Sequence, residues 1–174
     1  MLVIGEATRD EPPARSSVSV IGLDELESRE TAAIARLWQK WCGQDAMPAR
    51  ETLMPQQFGR YAPFVSFARV VDGDYEFRVI GDAHVRAYGV SFQGKRVSDV
   101  VSLSPRFGKQ LRITYDTVRA AMRPIAYRGM IGADFPDCRF VWFETVYLPF
   151  GRNGAVDHIL NAAVYTPKGG KWPG

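Results

Sequence analysis

Cysteine and histidine are scarce in this 174-residue chain, which holds only Cys42, Cys138, His84 and His158. Two isolated cysteines with no C-x-x-C pair exclude a disulfide scaffold and are expected to stay reduced. With no H-E-x-x-H, a zinc site would need distant carboxylates or thiols. No apolar run approaches the ~18 residues that a spanning helix requires. The G-x-S-x-G elbow and the G-x-x-x-x-G-K-[ST] phosphate loop are missing, and Gly89-Val90-Ser91-Phe92-Gln93-Gly94 has the wrong spacing for the former. Asp72-Gly73-Asp74 lacks the further ligands of a calcium loop. No basic leader accompanies Met1-Leu2-Val3-Ile4, so the cytoplasm is the expected compartment.

Charge of one sign is also lacking. Lys and Arg total 22 against 19 Asp and Glu, a net of +3 that is too even for a dedicated nucleic-acid binder. The distribution is uneven, however: residues 23–45 carry a net −2 and residues 104–130 a net +5. The basic stretch reads either as a solvated helix face or as a docking face for an acidic partner, with Arg112, Arg119 and Arg123 on it.

What is present is one domain's worth of core, with 46% hydrophobic residues. Residues 1–22 read as a mobile tail, within which Val18, Val20 and Ile21 can dock as an extended piece. A domain over 23–167 and a glycine-rich tail over 168–174 follow. The spacing of Leu26, Ala33, Ile34, Leu37, Trp38 and Trp41 predicts an amphipathic helix from Asp24 to Cys42. Its stripe, with Leu37, Trp38 and Trp41, is expected to pack on the chain's own core or on a second copy. Strands are predicted over Phe64–Val71 and Tyr75–Ile80, joined by Asp72-Gly73-Asp74. Short helices follow Asp82 and Arg96, and a longer one runs from Ser104-Pro105 to Pro124. Three strands close the chain, Ile125–Ile131, Arg139–Leu148 and Val156–Thr166, the last two flanking Asn153-Gly154.

Three polar residues stand out. His84 follows a strand and reads as a surface or partly buried histidine or as a ligand contact, with haem ligation the remote alternative. His158 faces either side of its strand according to register. Glu144 lies in an aromatic strand in phase with Phe140, Trp142, Val146 and Leu148, where a carboxylate needs a donor. It is expected either to pair with an arginine such as Arg78 or Arg128, or to line a pocket.

Several phrases resemble a known family in their order and spacing. They are Leu37-Trp38 to Trp41, Met47-Pro48-Ala49-Arg50 with Pro55, and Phe77-Arg78-Val79-Ile80-Gly81-Asp82. Tyr88-Gly89, Gly94-Lys95-Arg96, Glu144 to Phe150 and Gly154 to Leu160 complete the set, which spans residues 33–166. Together they resemble the small single-domain PAS-like regulatory proteins of bacteria. The resemblance implies an α+β fold with a five-stranded antiparallel sheet, order 2-1-5-4-3 counted from the Phe64 strand. It further implies helices on one face and an N-terminal helix outside the core that mediates a homodimer. Its pocket lies between sheet and helices, which makes Tyr88, Phe92, Tyr115, Met122, Trp142, Glu144 and His158 the expected lining. The family is not known for catalysis, and no metal and no particular cofactor are implied.

The leading expectation is therefore a non-catalytic cytoplasmic sensor that binds a small apolar or amphipathic molecule, a signalling protein, or both. A pure interaction domain with a filled core is the second reading. The third is a cone-shaped α+β enzyme with Glu144 and His158 as its acid–base pair.

Overall fold

The computed structural model describes residues 12–172. Readings that fall on 1–11 and 173–174 lie outside the described residues. In chain order the structure has β1 (Ser17–Ile21), α1 (Arg29–Cys42), β2 (Val65–Val71), β3 (Asp74–Ile80), α2 (Asp82–Tyr88), α3 (Val97–Leu103), α4 (Pro105–Ala121), β4 (Ile125–Met130), β5 (Phe140–Arg152) and β6 (Ala155–Pro167). Short 3-10 turns lie at Leu23–Glu25 and within Pro55–Phe64, the latter broken at Gly59.

The sheet corrects the expected fold. It has six antiparallel strands in the order β1-β4-β5-β6-β2-β3, not five strands in the order 2-1-5-4-3. The extra strand comes from residues 17–21, within the stretch read as a tail, and pairs along β4 from Ser17↔Met130 to Ile21↔Ala126. Its own five residues carry little signal, because four of them are exposed. What fixes it is the partner. A Cβ at Gly129 would lie 2.2 Å from the Ser17 carbonyl oxygen, and one at Gly132 would lie 2.4 Å from the Arg15 carbonyl carbon. Two glycines therefore let the N-terminal arm sit against the edge of β4.

Helices also cover both faces of the sheet, not one. On β5, Glu144, Val146, Leu148 and Phe150 point to one side and Phe143, Thr145 and Tyr147 to the other, by the strand's period of two. Thr31 of α1 bonds Glu144, and Trp41 of α1 meets Phe150. Tyr115 of α4 meets Tyr147 on the opposite side. The central strands β5 and β6 are apolar in both phases because both faces are buried. The stripe on α1 is thus covered by the chain's own sheet. Trp38 is buried and donates its indole N–H to the Pro149 carbonyl at 2.8 Å. Leu37 is half-buried against the same core, and Trp41 donates to Gln57 Oε1 at 2.9 Å.

Glu144, with no solvent exposure, secures the start of α1. Its carboxylate accepts the backbone N–H groups of Glu27 and Ser28, both at 2.9 Å, and the Thr31 hydroxyl at 2.5 Å. Arg128 on β4 lies 3.4 Å away and also bonds Glu27 Oε1 at 2.8 Å. The anion sits at the positive end of α1, so the helix dipole favours it too. Burial pushes the carboxyl upward. The bonds from Thr31, Glu27 and Ser28 more than offset that and hold it below its ordinary value of 4.5.

Two outcomes follow for unfolding in urea. Thr31→Val removes a hydrogen bond to a buried charge and is expected to cost about 2 kcal/mol. Glu144→Gln turns an N–H toward donors and is expected to cost about 3 kcal/mol. Because the folded carboxyl titrates lower than the unfolded one, its contribution is full above pH 4.5 and lost as pH falls through the lower folded value. A Glu144→Gln variant as stable as the parent would contradict this account.

Candidate functional site

A cavity of about 240 Å³ lies between the sheet and the layer of α2 and α4. Tyr127 of β4, Phe140, Phe143, Thr145 and Tyr147 of β5 and Tyr165 of β6 form its floor. Tyr88 of α2 and Phe107, Gln110, Leu111 and Thr114 of α4 form the roof. Ile131, Phe135 and Cys138 close one side, and Ser16 and Val18 of the N-terminal arm another. No Asp, Glu, Lys, Arg or His is among the described residues that line it. The volume exceeds the ~150 Å³ of a dry cavity that holds benzene and falls short of the ~300 Å³ where drug-sized pockets begin. One or two fused rings fit. A second space of about 20 Å³, between Ser66, His84, Tyr115 and Asn161, is large enough for a single water.

A polar relay backs the cavity wall. His84 is buried, with Nε2 3.0 Å from the Phe64 carbonyl and Nδ1 3.0 Å from the Tyr165 hydroxyl. The Tyr88 and Tyr165 hydroxyls are 3.4 Å apart. Burial pulls the His84 imidazole down to about 4, partly countered by its bond to Phe64. Burial also raises the Tyr88, Tyr147 and Tyr165 phenols, and pushes the Cys138 thiol up to about 11. At neutral pH the lining carries no charge.

The arm is fastened at the cavity's rim by Asp134. One oxygen of that carboxylate accepts both the N–H and the hydroxyl of Ser16, at 2.7 and 2.8 Å. Ser16 Oγ accepts from the Gly132 N–H at 2.9 Å, and the Ala133 N–H bonds the Pro13 carbonyl at 3.0 Å. Arg106, at the start of α4, donates to the Asp134 carbonyl at 2.8 Å. The clasp joins the arm, the loop after β4 and α4 at one point.

The residues predicted from sequence are only partly brought together. Tyr88 lines the cavity, and Tyr88, Phe92 and Tyr115 border the smaller space. Met122 is exposed at the C-terminal end of α4, in the left-handed conformation with φ 51°. Trp142, Glu144 and His158 lie in the opposite phase, on the α1 side of the sheet. His158 stacks on Phe67 with ring centroids 5.1 Å apart, and its Nδ1 lies 2.7 Å from Asp157. Glu144 pairs with Arg128, not Arg78, which bonds Glu76 instead. On α4, Arg112 folds back onto Asp74, Asp116 and the Gly73 carbonyl, whereas Arg119 and, just past the helix end, Arg123 are exposed. A bulge between Phe140 and Trp142 turns Phe140, read as in phase with Glu144, to the cavity side. Phe140, Phe143 and Tyr165 were missed because they sit on strands apolar in both phases. Only the cluster of rings in Phe135, Phe140 and Phe143 hinted at them. Comparison with family models, with curated proteins and with solved structures finds no match.

The His84 relay makes the fold pH-sensitive in a defined window. A histidine that titrates near 4 when folded and 6.5 when unfolded lets the unfolded chain bind the extra proton first. Stability from this group is full above pH 6.5 and falls by roughly 3 kcal/mol toward pH 4. His84→Asn is expected to flatten that slope in urea unfolding measured across the window. An unchanged slope would show that His84 is not held neutral by burial.

Proposed function

We propose that the chain is a non-catalytic regulatory domain that binds a small neutral molecule in the aromatic cavity and signals through its N-terminal arm. The observation that carries this reading is a ring-lined cavity with no ionised group in its described wall, closed on one side by Ser16 and Val18. General acid–base chemistry needs a group that titrates near the working pH, and the raised phenols and thiol of this wall do not. The resemblance to small PAS-like regulatory proteins agrees with a sensing role. A guest that touches the arm shifts the balance between docked and released arm by its difference in affinity for the two. The arm, or the exposed Arg119 and Arg123 around the C-terminal end of α4, would then be read by a protein partner. Two cysteines without a disulfide suit the cytoplasm. No helix among the described residues is long and apolar enough to cross a membrane. Dimerisation through α1 is not part of this reading, because its stripe is already covered.

Native mass spectrometry of protein purified from its own host tests the binding. A retained extra mass is expected in the parent and absent in Leu111→Trp, which places an indole in the cavity. With a guest bound, hydrogen exchange at residues 16–21 is expected to slow. Gly132→Ala, which displaces the arm, is expected to weaken binding about tenfold, a typical coupling between linked sites. Arm exchange indifferent to the guest would end the signalling part of this reading.

A further inference from the structure

Five hydroxyl groups around the cavity, those of Tyr165, Tyr88, Thr114, Thr145 and Ser16, share one property: each gives its proton to the protein. The relay fixes this for the tyrosines. Only an N–H can satisfy the Phe64 carbonyl, so His84 Nε2 carries the proton and Nδ1, in the neutral ring, is a lone pair. The Tyr165 hydroxyl must therefore donate to Nδ1. Its oxygen then accepts from Tyr88, whose proton is committed in turn. Thr114 donates to the Gln110 carbonyl at 3.0 Å and Thr145 to the Ala162 carbonyl at 3.2 Å. Ser16 donates to Asp134.

The part of the wall these five form offers lone pairs and no free proton. We propose that the cavity selects a neutral aromatic guest carrying its own hydrogen-bond donor, an N–H or O–H of the indole or phenol class, over guests that bring only acceptors or no polar group. This deepens the cavity reading and rests on it. At Tyr88 and Tyr165 a carbonyl or carboxylate guest meets lone pair against lone pair, and a carboxylate also finds no cation among the described lining residues. An N–H guest meets the Tyr88 and Tyr165 oxygens without disturbing the relay, because each phenol oxygen can accept as well as donate. The fused-ring size set by the volume makes indole the fitting probe.

Benzofuran has the shape of indole with an oxygen in place of the N–H, so the pair isolates the donor. In NMR titrations of the full chain, indole is expected to bind about tenfold more tightly than benzofuran, the factor one net hydrogen bond supplies. Resonances of Leu111 and Thr114 are expected to move with both guests. Tyr165→Phe removes one acceptor and breaks the relay, and is expected to bring the indole-to-benzofuran ratio toward one; Tyr88→Phe does the same at the outer position. Equal affinities in the parent chain, or tighter benzofuran, would overturn the donor selection while leaving the cavity a ligand site. Binding of neither guest, with Leu111 and Thr114 unmoved, would overturn both. The parent chain alone decides between these outcomes, so a variant that fails to fold does not shield the proposal.

Discussion

One buried carboxylate holds the two halves of this structure together. The chain must pass from β1, at the edge beyond β4, to α1, which covers the face of the sheet away from the cavity. The passage runs through residues 22–28, where Leu23 and Leu26 pack only partly buried against the core. Glu144 accepts the amides of Glu27 and Ser28 at its end, and Arg128 binds both that carboxylate and the Glu25 carbonyl. A charge so placed is tolerated only with its lone pairs filled, so the geometry of the passage is dictated by its donors. Since β1 precedes the passage directly, the position of the arm at the cavity is set from behind by Glu144 and from the front by Asp134.

How much of this could be read in advance follows from where the information sits. The strand pairs around Asp72-Gly73 and Asn153-Gly154 and the helix after Ser104-Pro105 are written locally, in turn residues and caps, and they form where expected. β1 is written locally only as an extended piece at Val18, Val20 and Ile21, without its partner. Its signal is Gly129 and Gly132, more than a hundred residues on, which read as ordinary strand and loop glycines until the arm lies against them. The coverage of both faces was visible in β6, where both phases are apolar, but only contacts say which helix takes which face. The bulge at Phe140 defeated the period-two count that put it beside Glu144.

Of the three polar residues that drew notice in the sequence, His84 backs the cavity wall, whereas Glu144 and His158 are titratable groups inside apolar strands. Both turned out to serve the face away from the cavity. A charged side chain stands out in a pattern because burying it is expensive, and for the same reason it is usually consumed by structure. The cavity instead uses Tyr and Thr hydroxyls, which blend into aromatic and β-branched strands. Their order emerges only from three-dimensional geometry: Phe64, Tyr165 and the α2 pair His84 and Tyr88 come from three separate elements, and the direction of every proton in the relay is imposed by one carbonyl at the far end.

A guest can move the arm only as far as its contacts with Ser16 and Val18 differ between docked and released states. The weakness of the arm makes a modest difference sufficient. β1 has five residues, and Val18 and Val20 keep 47% and 71% of their surface exposed, so little apolar burial secures it. Its bonds to β4 and to Asp134 are backed by water on release, so each is worth only about 1 kcal/mol net. Opposing them is the entropy of ordering the arm, about 1–2 kcal/mol per residue. Contributions of similar size and opposite sign leave an element near balance, and an element near balance responds to one small molecule. The interior strands β5 and β6, 13 residues each and buried on both faces, have no such freedom. The fold thus concentrates its responsiveness in the strand that touches the cavity and keeps the rest of the sheet as the rigid frame against which that strand moves.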